Sequence, residues 1–188
     1  GALTVEEREA EEFDETAVED HLSSRGKEDP AHEIPMAHGC PSARLQTFIQ
    51  KPLGEEPVTQ ASSLSHWPVQ IRLVPPTAPF LKGANLLIAA DCAPVAYPNF
   101  HRDFLKGKAV MVGCPKFDDV QGYVEKFADI FRSANIKSVT VLDMEVPCCS
   151  ALPRIVKRGM ELAGKSVPLE EVVISARGEI LKREEAAA

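Results

Sequence analysis

The sequence predicts an α/β domain: a three-layer, mostly parallel sheet of about four strands with flanking helices, preceded by an acidic helical or disordered linker. Three observations lead there. The continuous apolar runs Leu86–Ala90, Ala109–Val112, Val139–Leu142 and Val172–Ile174 have the length of strands covered on both faces. Stretches with three- and four-residue apolar spacing lie between several of them, as crossover helices require. Alternating strand and helix units favour parallel pairing with right-handed crossovers.

The elements follow in order. Residues 1–36 form the linker. Its acids dominate from Glu6 to Asp20, and Gly26, Pro30 and Pro35 interrupt the polar stretch Ser23–Met36. Gly1–Val5 reads as the end of a preceding strand. Residues 37–188 form the cysteine-containing α/β domain, with a second polar stretch at Lys51–Ser65. The first strand, Leu86–Ala90, closes in Asp91-Cys92-Ala93-Pro94, and Asn99–Leu105 reads as a short helix before Gly107. The second ends in Gly113-Cys114-Pro115. Val120, Tyr123, Val124, Phe127, Ile130 and Phe131 then mark a helix, with Asp118 and Gln121 as its capping box. The third strand ends before Pro147-Cys148-Cys149. A helix from Ser150 to Ala163 tolerates Pro153 in its first turn and stops at Gly164. Val172–Ile174 is the fourth strand.

Composition narrows the function classes. At 188 residues and 44% hydrophobic content the chain can build a core without disulfide staples. A formal charge of -7 argues against nucleic-acid partners, which need a basic face. No apolar run approaches the roughly 20 residues of a membrane span, and the start lacks the order of a signal peptide. The expectation is a cytoplasmic protein without a membrane partner.

The chemistry lies in five cysteines: Cys40, Cys92, Cys114, Cys148 and Cys149. An odd number without an export signal points to thiol or metal chemistry rather than a disulfide framework. Ligands of an open parallel sheet gather beyond the carboxyl ends of its strands, and three of the predicted strands end in cysteine. Prolines at 41, 94, 115 and 147 stiffen these loops. The helices that follow offer N–H groups that favour thiolates. Cys40, in His38-Gly39-Cys40-Pro41, is a candidate fourth ligand from upstream. Four loops thus offer five sulfurs to a cluster that commonly takes four. Zinc with His38 or His66 is an alternative, although the spacing of structural zinc sites is missing. A redox pair made of Cys148 and Cys149 is another.

The remaining features have structural readings. Trp67, in His66-Trp67-Pro68-Val69-Gln70, reads as a packing anchor, and His101-Arg102-Asp103 as a solvated face. Asp91 and Glu145 either tune the cysteine site or simply end strands. No Gly-rich phosphate loop and no G-x-S-x-G elbow is present.

The segments His38-Gly39-Cys40-Pro41, Ser65-His66-Trp67-Pro68-Val69-Gln70, Ala90-Asp91-Cys92, Gly113-Cys114-Pro115-Lys116 and Glu145-Val146-Pro147-Cys148-Cys149 together resemble the C-terminal region of anaerobic 4Fe-4S ferredoxin-type iron-sulfur proteins. The resemblance spans essentially the whole chain. It implies a two-cluster ferredoxin module upstream in the same polypeptide, although this chain lacks that module's C-x-x-C-x-x-C ligands. It further implies a 4Fe-4S cluster on Cys40, Cys92, Cys114 and Cys148, with Cys149 beside it, and a redox protein as partner. Three functions follow as expectations: an electron-transfer component, a small reductase using Cys148/Cys149 or an open cluster position, and a non-catalytic zinc or metal-binding module.

Overall fold

Complete burial of Leu86, Leu87, Ile88, Ala89 and Ala90 requires neighbours on both edges and cover on both faces, and the structure supplies them. A computed structural model describes Thr16, residues 45–47 and residues 62–186. The chain divides into two compact units, Gly1–Ala31 and His32–Ala188, and the sheet belongs to the second. Apart from Thr16, the expected linker lies outside the described residues, as does Cys40.

Two short strands come first, β1 (Gln46–Thr47) and β2 (His66–Trp67), paired antiparallel. The main sheet contains β3 (Asn85–Ala90), β4 (Ala109–Gly113), β5 (Ser138–Met144), β6 (Leu169–Ile174) and β7 (Ile180–Ala186). Their order is β4-β3-β5-β6-β7. The first four are parallel, and β7 runs antiparallel to β6. The sequence anticipated four of these five. β7 reads as Ile-Leu-Lys-Arg-Glu-Glu-Ala, with most of its residues exposed, so it lacks the apolar run that marks a buried strand.

Three helices connect the strands: α1 (Ala93–Ala96), α2 (Val120–Ser133) and α3 (Leu152–Ala163). α2 buries Tyr123, Val124, Phe127, Ala128, Ile130 and Phe131. At roughly 1.5–3 kcal/mol for each large apolar side chain, this stripe is a main attachment of the helix to the sheet. Its cap is Asp119, whose carboxylate accepts from Gln121 N at 3.0 Å, rather than the anticipated Asp118. α3 stops where expected, with Gly164 at φ 62° accommodating the left-handed C-cap. The short helix anticipated before Gly107 is a single π turn, His101–Leu105, which buries Phe104 and Leu105.

The outer edge of β4 is closed by the segment that follows β2. Val112 N donates to Val69 O at 2.8 Å, and Ile71 N to Val112 O at 2.9 Å. Val110 N donates to the ring nitrogen Nε2 of His66 at 2.9 Å, so a histidine side chain completes the ladder.

Candidate functional site

The chain reverses direction across the sheet between β3 and β5: β3 leads outward to β4, and the chain then crosses back to β5. Loops that leave strands on either side of such a point start out in opposite directions. Cys92 follows β3 and Cys148 and Cys149 follow β5, so the loops on both sides of the switch point carry sulfur. Cys114 follows β4, one strand further out, about 4.8 Å in the pairing direction.

Each loop presents its sulfur differently. Cys92 is exposed, and its carbonyl accepts from Val95 N and Ala96 N to start α1. Cys148 is exposed and Cys149 buried, with Cys149 O accepting from Leu152 N as α3 begins. Burial pushes the Cys149 thiol up to about 11. The neighbouring Cys148 and Cys92 act in the same direction, and a Met144 backbone hydrogen bond opposes them. The expectation that helix N–H groups favour thiolate therefore fails at Cys149, because desolvation outweighs them. Cys92 and Cys148 nevertheless both lie close enough to act on Cys149. Among the described residues, no group of three or more His, Cys, Asp or Glu side chains is arranged to hold a metal ion.

The Cys114 loop is fastened from below. Cys114 O accepts from Phe117 N at 3.1 Å and Asp118 N at 2.9 Å, which winds the loop into a tight turn. Asp118 in turn accepts from the hydroxyl of Tyr123 on α2 and from Cys114 N, and pairs with Arg72 at 3.6 Å. The Tyr123 hydroxyl holds the Asp118 carboxyl below its usual range, and burial raises the Tyr123 phenol. Gly113 makes this possible, since a Cβ there would collide with the Tyr123 hydroxyl. Sequence reading had placed Tyr123 in the core stripe and Asp118 in a cap; its signal for this clamp was the Gly-Cys-Pro run ahead of both.

Other anticipated groups have structural employment. His66 is fully buried and stacks on Phe80 with ring centroids 3.9 Å apart. Its Nδ1 bonds Pro68 O at 3.2 Å while Nε2 accepts from Val110, so neither nitrogen is left for a metal. Zinc ligation by His66 is thereby corrected. His101 Nδ1 accepts from Ser63 N, and Arg102 pairs with Asp103 on the surface. Glu145 accepts from Ala176 N at 2.8 Å and so braces the β6–β7 turn. Asp91 is exposed at the end of β3. Partial burial raises its carboxyl, a hydrogen bond with Gln70 opposes this, and the Asp118 charge adds to the rise.

One charged group was missed altogether. Asp143, on β5, is 2% exposed, and its Oδ1 has no hydrogen-bond partner among the described residues. Burial, then the charge of Glu171, pushes its carboxyl up to about 6. The signal was an acid directly after the apolar run Val139–Leu142, where the strand continues to Met144.

Comparison with known proteins places this geometry. No solved structure matches the chain. An uncharacterized protein of Archaeoglobus fulgidus is 38% identical over 117 residues, covering 62% of this chain and 82% of the relative. Residues 78–188, more than half of the chain, match the family described as a Rossmann-like domain. This overturns the reading of the chain as the C-terminal region of a 4Fe-4S ferredoxin-type protein. The motifs behind that resemblance at Cys92, Cys114 and Cys148 are strand-end loops of a parallel sheet. No helix among the described residues is long and apolar enough to cross a membrane. The chain belongs to the Rossmann-like domain family.

Proposed function

We propose that this chain binds an iron-sulfur cluster of the 4Fe-4S type beyond the carboxyl ends of β3, β4 and β5 and passes single electrons to a redox protein partner in the cytoplasm. The observation that supports this most is the meeting of Cys92 with Cys148 and Cys149 at the switch point, from loops more than fifty residues apart. Cys92, Cys114 and Cys148 would be ligands, with Cys40 as the fourth. The described thiols are not grouped as a metal site, so their loops would have to close on a cluster as it bound, as in sites that form together with their metal. When bound, the cluster would supply the one-electron chemistry. The chain's own residues hold the loops: Asp118 and Tyr123 fix the turn at Cys114, and the start of α3 fixes Cys149.

A Rossmann-like fold also raises the possibility of a dinucleotide, and the residues do not fit one. The loop after β3 reads Ala90-Asp91-Cys92-Ala93-Pro94. It has no glycine for close backbone approach and sets a carboxylate where a pyrophosphate would lie. A dithiol reading has one specific observation in its favour, the adjacency of Cys148 and Cys149, with Cys148 exposed and its neighbour raising the Cys149 thiol. In that case the two thiols would give two electrons and two protons to a disulfide substrate and become a disulfide themselves.

Anaerobic purification followed by iron, sulfide and zinc analysis separates these readings. Brown protein with about four irons per chain supports the cluster. Colourless, iron-free protein that reduces a disulfide substrate supports the dithiol instead.

A further inference from the structure

The amino edge of the sheet carries a second polar constellation, at the opposite ends of the strands from the cysteines. A cavity of about 580 Å³ lies there, with Lys108, Ser138, Thr140, Pro168, Glu170 and Glu185 among its lining residues. Small-molecule sites typically enclose roughly 300–1,000 Å³. The strands explain the placement: Lys108 directly precedes β4, Ser138 begins β5, Pro168 precedes β6, and Glu185 lies near the end of the antiparallel β7. The length of β5 sets this cavity about 20 Å from the Cys148 loop.

Register orders the charges. Thr140 pairs with Glu170 and Glu170 with Glu185, so the three form one row across β5, β6 and β7 on a single face of the sheet. Lys108 Nζ donates to Thr140 Oγ1 at 2.9 Å, and Thr140 Oγ1 donates to Glu170 Oε2 at 3.4 Å. Arg183 Nε donates to the other oxygen of Glu170 at 2.6 Å. Arg183 first, and Lys108 after it, hold the Glu170 carboxyl below its usual range, so that acid is already answered. Glu185, at the far end of the row, is exposed and has no ion pair among the described residues. Lys108 is half-buried at the near end: burial lowers its ammonium, Glu170 opposes this, and the Arg183 charge adds to the fall. Of the three N–H donors of that ammonium Thr140 takes one. A partly desolvated cation with donors left over beside a cavity is best completed by a carboxylate oxygen.

We propose that the amino-edge cavity binds a small zwitterion of dipeptide size, its carboxylate on Lys108 and its ammonium on Glu185. Ser138 Oγ gives its proton to Asn85 Oδ1 at 2.9 Å and keeps lone pairs for the same ammonium. Two strand spacings, about 10 Å, separate the Thr140 and Glu185 positions. A ligand that spans them must hold its own charges several ångströms apart, as the two ends of a dipeptide do and the adjacent charges of a single amino acid do not. The site is separate from the carboxyl-edge cysteines and stands whether or not they bind a cluster.

The test is isothermal titration calorimetry of the full chain at pH 7 with L-alanyl-L-alanine, its N-acetyl derivative, its C-terminal amide, L-alanine and acetate. The dipeptide gives saturable heat, and each of the other four binds more weakly, because each lacks one charge or the spacing. Lys108→Met weakens the dipeptide by about tenfold or more, as loss of a charge-assisted hydrogen bond does. Glu185→Gln, at an exposed position that leaves folding intact, weakens it by about threefold, the scale of an exposed ion pair. Urea unfolding confirms that each variant is folded, and Glu185→Gln carries the test if Lys108→Met is not. No saturable heat with the dipeptide overturns the proposal, as does a dipeptide affinity indifferent to the substitutions. Acetate or the N-acetyl derivative binding as tightly as the dipeptide overturns it too, since the cavity is then a simple anion site.

Discussion

At the scale of single residues, His66 and Asp143 are buried groups whose protonation opposes one another. Burial lowers the His66 ring from 6.5 to about 4. The folded state therefore holds fewer protons than the unfolded chain in that window, and stability falls as pH drops from about 6.5 to 4. Asp143 is raised to about 6, so the folded state holds more protons and stability rises as pH drops from about 6 to 4. Each contributes about 3 kcal/mol, and the two largely cancel. Urea unfolding of Asp143→Asn should expose the histidine: the variant loses about 3 kcal/mol more than the unsubstituted chain between pH 7.5 and 4. Equal pH profiles for the two proteins would show that Asp143 is not raised. His66 was legible as a notable residue but not in its role, since its partner Val110 lies 44 positions away and contributes only a backbone N–H. Asp143 was illegible for a related reason, because an acid at a strand end ordinarily faces water.

At the scale of elements, periodicity revealed what burial dictates. α2 and α3 were readable because their apolar stripes must face the sheet, and their contact is tight. A Cβ on Gly159 of α3 would sit 2.6 Å from Phe127 Cβ and 3.2 Å from the Ala128 backbone nitrogen. Gly159→Ala gains up to about 1 kcal/mol of helix propensity and loses about 1–3 kcal/mol to overpacking against backbone that cannot yield. Chemical denaturation should show a net loss of about 1 kcal/mol; a more stable variant would mean that the helices separate easily. The Cys114 turn depends on a contact between elements that periodicity does not encode. Tyr123→Phe removes the hydroxyl that Asp118 accepts, at a position 2% exposed. The expected cost is about 1.5–3 kcal/mol of stability and roughly tenfold in iron affinity, as for an outer partner of a ligand. Unchanged iron binding by competition with a chelator would remove Cys114 from the ligand set.

At the scale of the whole molecule, topology explains why residues distant in sequence share one site. Apolar runs and turn residues made the four parallel strands legible, and the rule that ligands gather beyond carboxyl ends made the site's position legible. Strand order was not legible, because it is decided by which edges pair and not by any local pattern. Order is what sets Cys92 between Cys114 and the Cys148/Cys149 pair. The most direct test of this convergence is iron content after anaerobic loading of the single variants Cys92→Ser, Cys114→Ser, Cys148→Ser and Cys149→Ser. The account predicts that the first three each lose iron affinity by about tenfold or more, while Cys149→Ser, at the buried sulfur, retains it. Iron content indifferent to Cys92→Ser and Cys148→Ser would contradict a centre at the switch point.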